Sequence, residues 1–245
     1  MSNVIAAAGI ILLKQASNTH PLEVLLLKRN TTLKVHAGQW VFPGGKVDAE
    51  DYLAINHAPS DIDIRQPPQL NRSNYLKLVT QTALRETQEE AGITLTANQL
   101  HFYARWLTPK AIKKRFNTCF FLAKCFEHDV KVDGSEIVDY QWVSPIQALT
   151  LHKQSHIQVP PATYVSLRQL SQFEQAETAI NTLCQKPIYY RPKLISMKGG
   201  VCSLYEDDAG YQDENYFAPG KHHRLEMKSG SFNYINHDQV IKSKP

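Results

Sequence analysis

Three glutamates and one arginine have the types and the spacing to do chemistry in this chain. They lie in Arg85-Glu86-Thr87-Gln88-Glu89-Glu90-Ala91-Gly92-Ile93. On a helix, Glu86, Glu89 and Glu90 fall at i, i+3 and i+4, which sets three carboxylates on one face roughly 5–6 Å apart. Like charges that close repel, and Arg85 is the basic residue nearby. Such a cluster destabilises the helix unless a cation occupies it. Hard divalent cations such as Mg²⁺ take oxygen ligands, usually carboxylates together with substrate phosphates. A solvated acidic helix face is the plain alternative. Against it stands Trp40-Val41-Phe42-Pro43-Gly44-Gly45-Lys46-Val47-Asp48 upstream, a tight glycine turn at the end of a buried strand. Glycine permits positive φ and close backbone approach to a ligand, and a backbone carbonyl there can add one more oxygen.

The elements that must position these groups follow from the patterning. Leu76 to Ala91 has apolar residues at three- and four-residue spacing, with Gly92 as the stop, and is expected to be the strongest helix. Val4 to Lys14 and Leu22 to Lys28 are apolar strands joined by turn residues, so they are expected to form a hairpin. Gln39 to Phe42 is a short strand leading into the glycines. Residues 52–78 hold several prolines and weak periodicity and are expected to be an inserted loop with at most a short helix. Strands are expected at Phe102 to Leu107, Thr118 to Phe126 and Tyr140 to Val143. Ser144 should cap a short helix with Pro145 at its first position. Ala162 to Leu183 reads as helix with a break near Ser171. Beyond Pro187 the pattern changes to short β runs: Lys193 to Met197, Val201 to Tyr205, Arg224 to Lys228 and Ser231 to Ile235. The division expected is 1–186 for a main domain and 187–245 for a β-rich extension packed on it, since so short a segment has a marginal core alone.

Composition narrows the classes. At 42% hydrophobic and 20% charged over 245 residues, a sizeable core is expected and general disorder is not. A formal charge of +4 suits an anionic small molecule and falls short of a nucleic-acid footprint. Cys119, Cys125, Cys184 and Cys202 show no paired spacing, so free thiols in a reducing compartment are expected, and a cytoplasmic location with them. The apolar N-terminal run has no basic residues before it and is short for a membrane helix, so no membrane association is expected.

At this point the chain resembles the Nudix hydrolases, whose motif reads G-x5-E-x7-R-E-U-x-E-E-x-G-U, with U a bulky apolar residue. Arg85, Glu86, Glu89, Glu90, Gly92 and Ile93 fit its second half, with Thr87 where an apolar residue is usual. Counting from Gly45, the first-half glutamate position falls on Asp51, with Glu50 beside it. Residues 52–84 then separate the halves, several times the family spacing. An insertion there resembles the coenzyme A diphosphatase branch. So do Trp106-Leu107-Thr108-Pro109, Arg115-Phe116-Asn117-Thr118 and Gly134-Ser135-Glu136-Ile137. The upstream pattern of that branch, L-L-T-x-R-[SA]-x3-R-x3-G-x3-F-P-G-G, is matched in spacing by Leu25-Leu26-Leu27-Lys28-Arg29-Asn30, Lys34, Gly38 and Phe42-Pro43-Gly44-Gly45. Lys34 stands for arginine and keeps the charge without the bidentate geometry.

The resemblance implies an α/β (α+β) fold, with a Nudix-type mixed β-sheet sandwiched between helices. It implies hydrolysis of a nucleoside diphosphate linked to another moiety, with Mg²⁺ or Mn²⁺ held by Glu86, Glu89, Glu90 and the Gly45 carbonyl. Arg85 would brace the helix against Asp51 or Glu50. The water would lose its proton to a helix glutamate or to Glu136. Arg29, Lys34, Phe42 and Arg115 are the candidate substrate contacts, although Phe42 also reads as core and Arg115 as part of a basic loop. Coenzyme A or an acyl-coenzyme A leads the substrates, giving 3′,5′-ADP and (acyl-)4′-phosphopantetheine. ADP-ribose, NADH or another dinucleotide is the alternative, and a non-catalytic nucleotide sensor ranks below both. A homodimer is expected by analogy with relatives.

Overall fold

β1 (Val4–Lys14) is apolar along its length, as a strand covered on both faces must be. In the computed structural model, which describes residues 4–14, 21–55, 72–126, 129–228 and 230–237, its side chains alternate between two cores. Ile11 and Leu13 enter one, while Ala8, Ile10 and Leu12 enter the other. β1 pairs antiparallel with β2 (Glu23–Arg29), the hairpin expected, and β2 pairs in turn with β3 (Trp40–Val41). The chain then passes through β4 (Gly44–Lys46), which lies against β1 with Ala8 opposite Gly45. This pairing sets the glycine turn onto the centre of the sheet.

The helix α1 (Ala49–Ala54) follows, and α2 (Arg72–Ala91) begins after a segment outside the described residues. The expected loop over 52–78 is therefore corrected at both ends. Residues 52–54 finish α1, residues 72–78 are the first turns of α2, and 56–71 lie outside the described residues. The buried stripe of α2 runs through Leu78, Val79, Thr82, Ala83, Thr87, Glu90 and Ala91, whereas Leu76 faces outward at 42% exposure.

β5 (His101–Leu107), β6 (Arg115–Lys124) and β7 (Ile137–Val143) complete the sheet, with β6 parallel to β1 and β7 antiparallel to β2. Ser144 caps α3 (Pro145–Lys153) by accepting the Gln147 amide at 3.2 Å. α4 (Pro161–Leu170) and α5 (Ala176–Leu183) are separated at Ser171, the break expected. The chain re-enters the main sheet at β8 (Ile188–Tyr190), parallel to β5. The order is β3-β2-β1-β6-β5-β8, with β4 beside β1 and β7 beside β2. α2 covers one face, while α3, α4 and α5 contribute to the core on the other. This is the mixed sheet between helices that the motif resemblance implied.

A second sheet, β9 (Lys193–Met197), β10 (Gly200–Leu204), β11 (His223–Lys228) and β12 (Ser231–Asn236), is an antiparallel meander. Tyr205 and Leu225 join the core on the α4 side. Trp106 stacks on Tyr190 at 3.8 Å between ring centroids, and Tyr205 meets Tyr190 edge-on at 5.1 Å. Among the described residues, no helix is long and apolar enough to cross a membrane.

Candidate active site

The site is assembled where α2 passes the glycine turn. Gly44 has a φ of +151°, a value side chains disfavour, and an added Cβ would stand 2.4 Å from the Ala8 carbonyl oxygen. At Gly45 an added Cβ would stand 2.4 Å from the carboxyl atoms of Glu86. Two glycines thus let β4 lie flat on β1 and let the α2 carboxylate approach its backbone. Glu90 is buried, and its Oε2 accepts the Gly44 amide at 2.8 Å.

α1 is a short arm that delivers Asp51. Asp48 caps it, and the Asp51 carboxylate reaches back to accept the Asp48 amide at 2.8 Å. Asp51 is 2% exposed and takes three further donors. They are Arg85 Nε and Nη2, both at 2.9 Å, and Thr82 Oγ1 at 2.9 Å. The choice left open between Asp51 and Glu50 is settled: Arg85 pairs with Asp51, and Glu50 is exposed on α1. The cap spacing Asp48-x-x-Asp51 is a signal in the sequence that could have decided it. Thr82 had no such signal, because only the packed helix shows that its hydroxyl faces the aspartate.

Arg85 carries more than this pair. Its Nη1 lies 3.0 Å from Glu86 Oε1 and 2.9 Å from Glu89 Oε2, and its Nη2 donates to the Lys46 carbonyl at 3.2 Å. Arg29 forms the second basic centre, with Nη1 at 3.6 Å from Glu90 and Nη2 at 3.4 Å from Glu136. Backbone contacts hold the Glu136 loop to the end of β2, through the Asn30 amide on the Glu136 carbonyl at 2.7 Å. Asp51, Glu86, Glu89, Glu90 and Glu136 therefore share two guanidinium groups. Burial pushes Glu90 up to about 8, against the opposing pull of the Gly44 amide and Arg29. Burial also raises Glu86, with Arg85 opposing.

Three helix carboxylates share one face, yet they do not converge on one point. Glu86 and Glu89 lean on Arg85, and Glu90 turns to Gly44. Among the described residues, no three acidic, histidine or cysteine side chains stand as a ready metal cage. The donor set nonetheless fits a hard divalent ion. All its atoms are oxygens, Glu89 is exposed at 55%, and Glu90 is buried with Arg29 as its neighbouring cation at 3.6 Å.

The other sequence candidates lie elsewhere. Phe42 is 4% exposed and packs edge-on to Phe120 at 6.3 Å. It packs as a core residue, the alternative that its sequence reading carried. Arg115 is buried at the start of β6, where its Nε donates to the Thr108 carbonyl at 3.0 Å. Lys34 is exposed in the turn between β2 and β3. Arg29 is a substrate candidate that the fold brings to the carboxylates.

Comparisons with known proteins bear on the fold and the family. The family model for the NUDT19 Nudix domain matches residues 96–170. The acyl-coenzyme A diphosphatase NUDT19 of Xenopus laevis is 25% identical over 282 aligned residues, covering 82% of this chain and 74% of that protein. The human acyl-coenzyme A diphosphatase NUDT19 is 37% identical over 78 residues, covering 30% of this chain and 20% of that one. The crystal structure of a NUDIX hydrolase from Alicyclobacillus acidocaldarius superposes with a TM-score of 0.62 at 23% identity, covering 76% of this chain and all of that one. The chain resembles the Nudix hydrolases. Within the Nudix hydrolases it resembles the coenzyme A diphosphatase branch. The family match spans β5 to α4, so it is independent of the carboxylate motif on α2. Thr87, the departure from the Nudix motif, is fully buried beside Ala83 and Ala91 on the packed stripe, so it fills the place of the apolar residue.

Proposed function

We propose that this protein is a Nudix hydrolase that cleaves the pyrophosphate of a nucleoside diphosphate-linked small molecule, with coenzyme A or an acyl-coenzyme A as substrate and Mg²⁺ or Mn²⁺ as cofactor. The products are 3′,5′-ADP and (acyl-)4′-phosphopantetheine. The observation that carries the reading is the excess of carboxylate over guanidinium between α2 and the glycine turn. Nothing in a folded chain favours that excess unless a cation completes it. The substrate assignment draws support from the spacing of Leu25 to Gly45 and from the named activity of the NUDT19 relatives. The four free cysteines suit a reducing compartment such as the cytoplasm.

Glu86, Glu89, Glu90 and the Gly45 carbonyl would hold the ions. Bound divalent ions neutralise charge developing on a pyrophosphate and lower the pKa of a water. Arg85 positions α2 through its two bonds to Asp51, an orienting role one step removed from the ligands. Glu136 is the candidate base, because it sits on a loop and has no part in bracing the helix; a helix glutamate is the alternative. Arg29, next to both Glu90 and Glu136, would meet the substrate's phosphates once the ions draw Glu90 away.

The test is a substrate panel of coenzyme A, acetyl-coenzyme A, ADP-ribose and NADH, with each metal and with chelator, read by chromatography of the products. The expected result is metal-dependent release of 3′,5′-ADP with the highest kcat/KM on a coenzyme A substrate. A higher kcat/KM on ADP-ribose or NADH would move the substrate class, and binding without turnover would make the domain a sensor.

A further inference from the structure

The Glu136 side chain is 60% exposed, yet the loop that carries it into β7 is tightly bonded. Asp133 folds that loop on itself. Its Oδ1 accepts the Ser135 amide, the Ser135 hydroxyl at 2.7 Å and the Glu136 amide at 2.7 Å, and its Oδ2 accepts the Ile137 amide at 3.2 Å. Gly134, at a φ of +74°, makes the turn and donates its amide to the Ile137 carbonyl at 3.0 Å. An aspartate that takes backbone donors two and three residues on pre-forms such a turn.

Asn30, half-buried just past β2, joins the turn to that strand. Its backbone N–H donates to the Glu136 carbonyl at 2.7 Å, and its Nδ2 donates to the Ser135 carbonyl at 2.9 Å. Its Oδ1 accepts the Thr32 amide at 3.1 Å. The two side-chain bonds agree on which end of the carboxamide is nitrogen, since a carbonyl needs a donor and an N–H needs an acceptor. The register of β2 and β7 breaks at the same place. Lys28 lies opposite Asp139 and Arg29 opposite Ile137, so Val138 is an extra residue. Bulges of this kind re-aim side chains beside active sites. Arg29 is held from the other side, with Nε donating to the Val35 carbonyl at 3.2 Å and its backbone bonded to Gln39 and Gly38 at 3.0 and 3.1 Å. Its Nη2 then stands 3.4 Å from Glu136.

We infer that Asn30 is a positioning residue: its carboxamide staples the Glu136 loop to the Arg29 strand and so presets the carboxylate that takes the proton of the attacking water. This rests on the reading of Glu136 as the base under the proposed function. The backbone bond to Glu136 is open to any residue except proline, so the bond to Ser135 is what the asparagine side chain adds. Without it the exposed loop opens more often and Glu136 spends less time in place. Misplacing a reacting group slows the chemical step, so the loss falls on kcat and leaves KM nearly unchanged.

The test uses Asn30→Ser. A serine hydroxyl can still accept the Thr32 amide, but it ends one atom short of the Ser135 carbonyl. Kinetics on coenzyme A with Mg²⁺ are measured for this substitution alone and combined with Glu136→Gln, and exchange of the amide at position 30 is followed by NMR relative to each residue's intrinsic rate. Loss of one neutral hydrogen bond predicts about 3–10-fold lower kcat and about 3–10-fold faster exchange. In the Glu136→Gln background the same substitution should leave kcat as it is, because the group it positions is gone, whereas a merely structural role would lower kcat alike in both backgrounds. The inference is overturned by unchanged exchange or by an equal kcat loss in both backgrounds. Wild-type kcat in Glu136→Gln also overturns it, since Asn30 then has no base to position while metal-dependent cleavage stands. If the wild type cleaves nothing in the substrate panel, the proposed function has failed, and exchange alone decides whether Asn30 staples the loop.

Discussion

Two buried arginine–aspartate pairs in this chain are built alike and sit in opposite surroundings. Arg85 grips Asp51 through Nε and Nη2, both at 2.9 Å, and Arg224 grips Asp208 through the same two nitrogens, both at 2.7 Å. Each aspartate also takes nearby donors: the Asp48 amide and Thr82 hydroxyl in one case, the Gly210 and His223 amides in the other. Around Arg224 the remaining charges are matched locally. Nη1 goes to the Tyr216 carbonyl, Glu226 accepts from Tyr216 and Asn233, and Asp207 meets His223. Around Arg85, two further glutamates lean on the same guanidinium and a third is buried beside Arg29. A matched pair fixes a loop onto a sheet. An overloaded one leaves negative charge for something outside the chain to neutralise.

The comparison breaks hardest at the glutamates. Glu90→Gln or Glu89→Gln should lower kcat/KM by more than ~100-fold, since even partners one step behind a metal ligand are worth about 10–100-fold. Both variants should keep the wild-type fold by circular dichroism. Near-wild-type turnover with saturating Mg²⁺ in either would remove the surplus charge from the mechanism.

Removing each aspartate separates the two roles. Asp208→Asn leaves Arg224 buried without its counter-charge, at side-chain exposures of 3% and 0% for the pair, and should cost about 3–5 kcal/mol in denaturant unfolding. Its kcat per folded molecule should be unchanged. Asp51→Asn should instead lower activity by about 10–100-fold, because it frees the arginine that orients α2. Equal activity losses in the two would mean that the pairs do the same work.

The sequence is most informative where one element answers to one rule. The apolar length of β1, the Ser144-Pro145 start of α3, the break at Ser171 and the four strands of the second sheet all follow from local patterns. The glutamate spacing on α2 is of this kind. Contacts between distant segments are not. That Arg85 meets Asp51 across a long insertion, or that Glu136 reaches Glu90 through Arg29, depends on how the sheet stacks α1, α2 and the β6–β7 loop. Phe42 and Arg115 show the same limit from the other side: the resemblance offered both as substrate contacts, and the fold buries both. Arg224–Asp208 left no trace in the sequence reading, since neither residue sits in a recognisable spacing.

The last expected effect sets the two surroundings furthest apart, because Glu90 in one and Asp208 in the other answer to pH with opposite sign. Burial raises Glu90 to about 8, while in the unfolded chain it titrates as an ordinary carboxylate. Between those values the folded protein holds a proton the unfolded chain has lost, so metal-free stability should fall as pH rises towards about 8 and then level off. Asp208 runs the other way. Burial pushes its carboxyl up, but the bonds from Arg224 and the Gly210 and His223 amides outweigh this and hold it below the usual range. Its contribution is present at neutral pH and is lost only as acid carries it through that lowered value. Thermal midpoints measured with chelator from about pH 5.5 to about pH 8.5 should therefore decline in the wild type and in Asp208→Asn. The decline should vanish in Glu90→Gln, and saturating Mg²⁺ should flatten it in the wild type, because an ion on Glu90 displaces the proton. A decline that persists in Glu90→Gln would place the proton elsewhere and leave the surplus charge at α2 without its clearest signature.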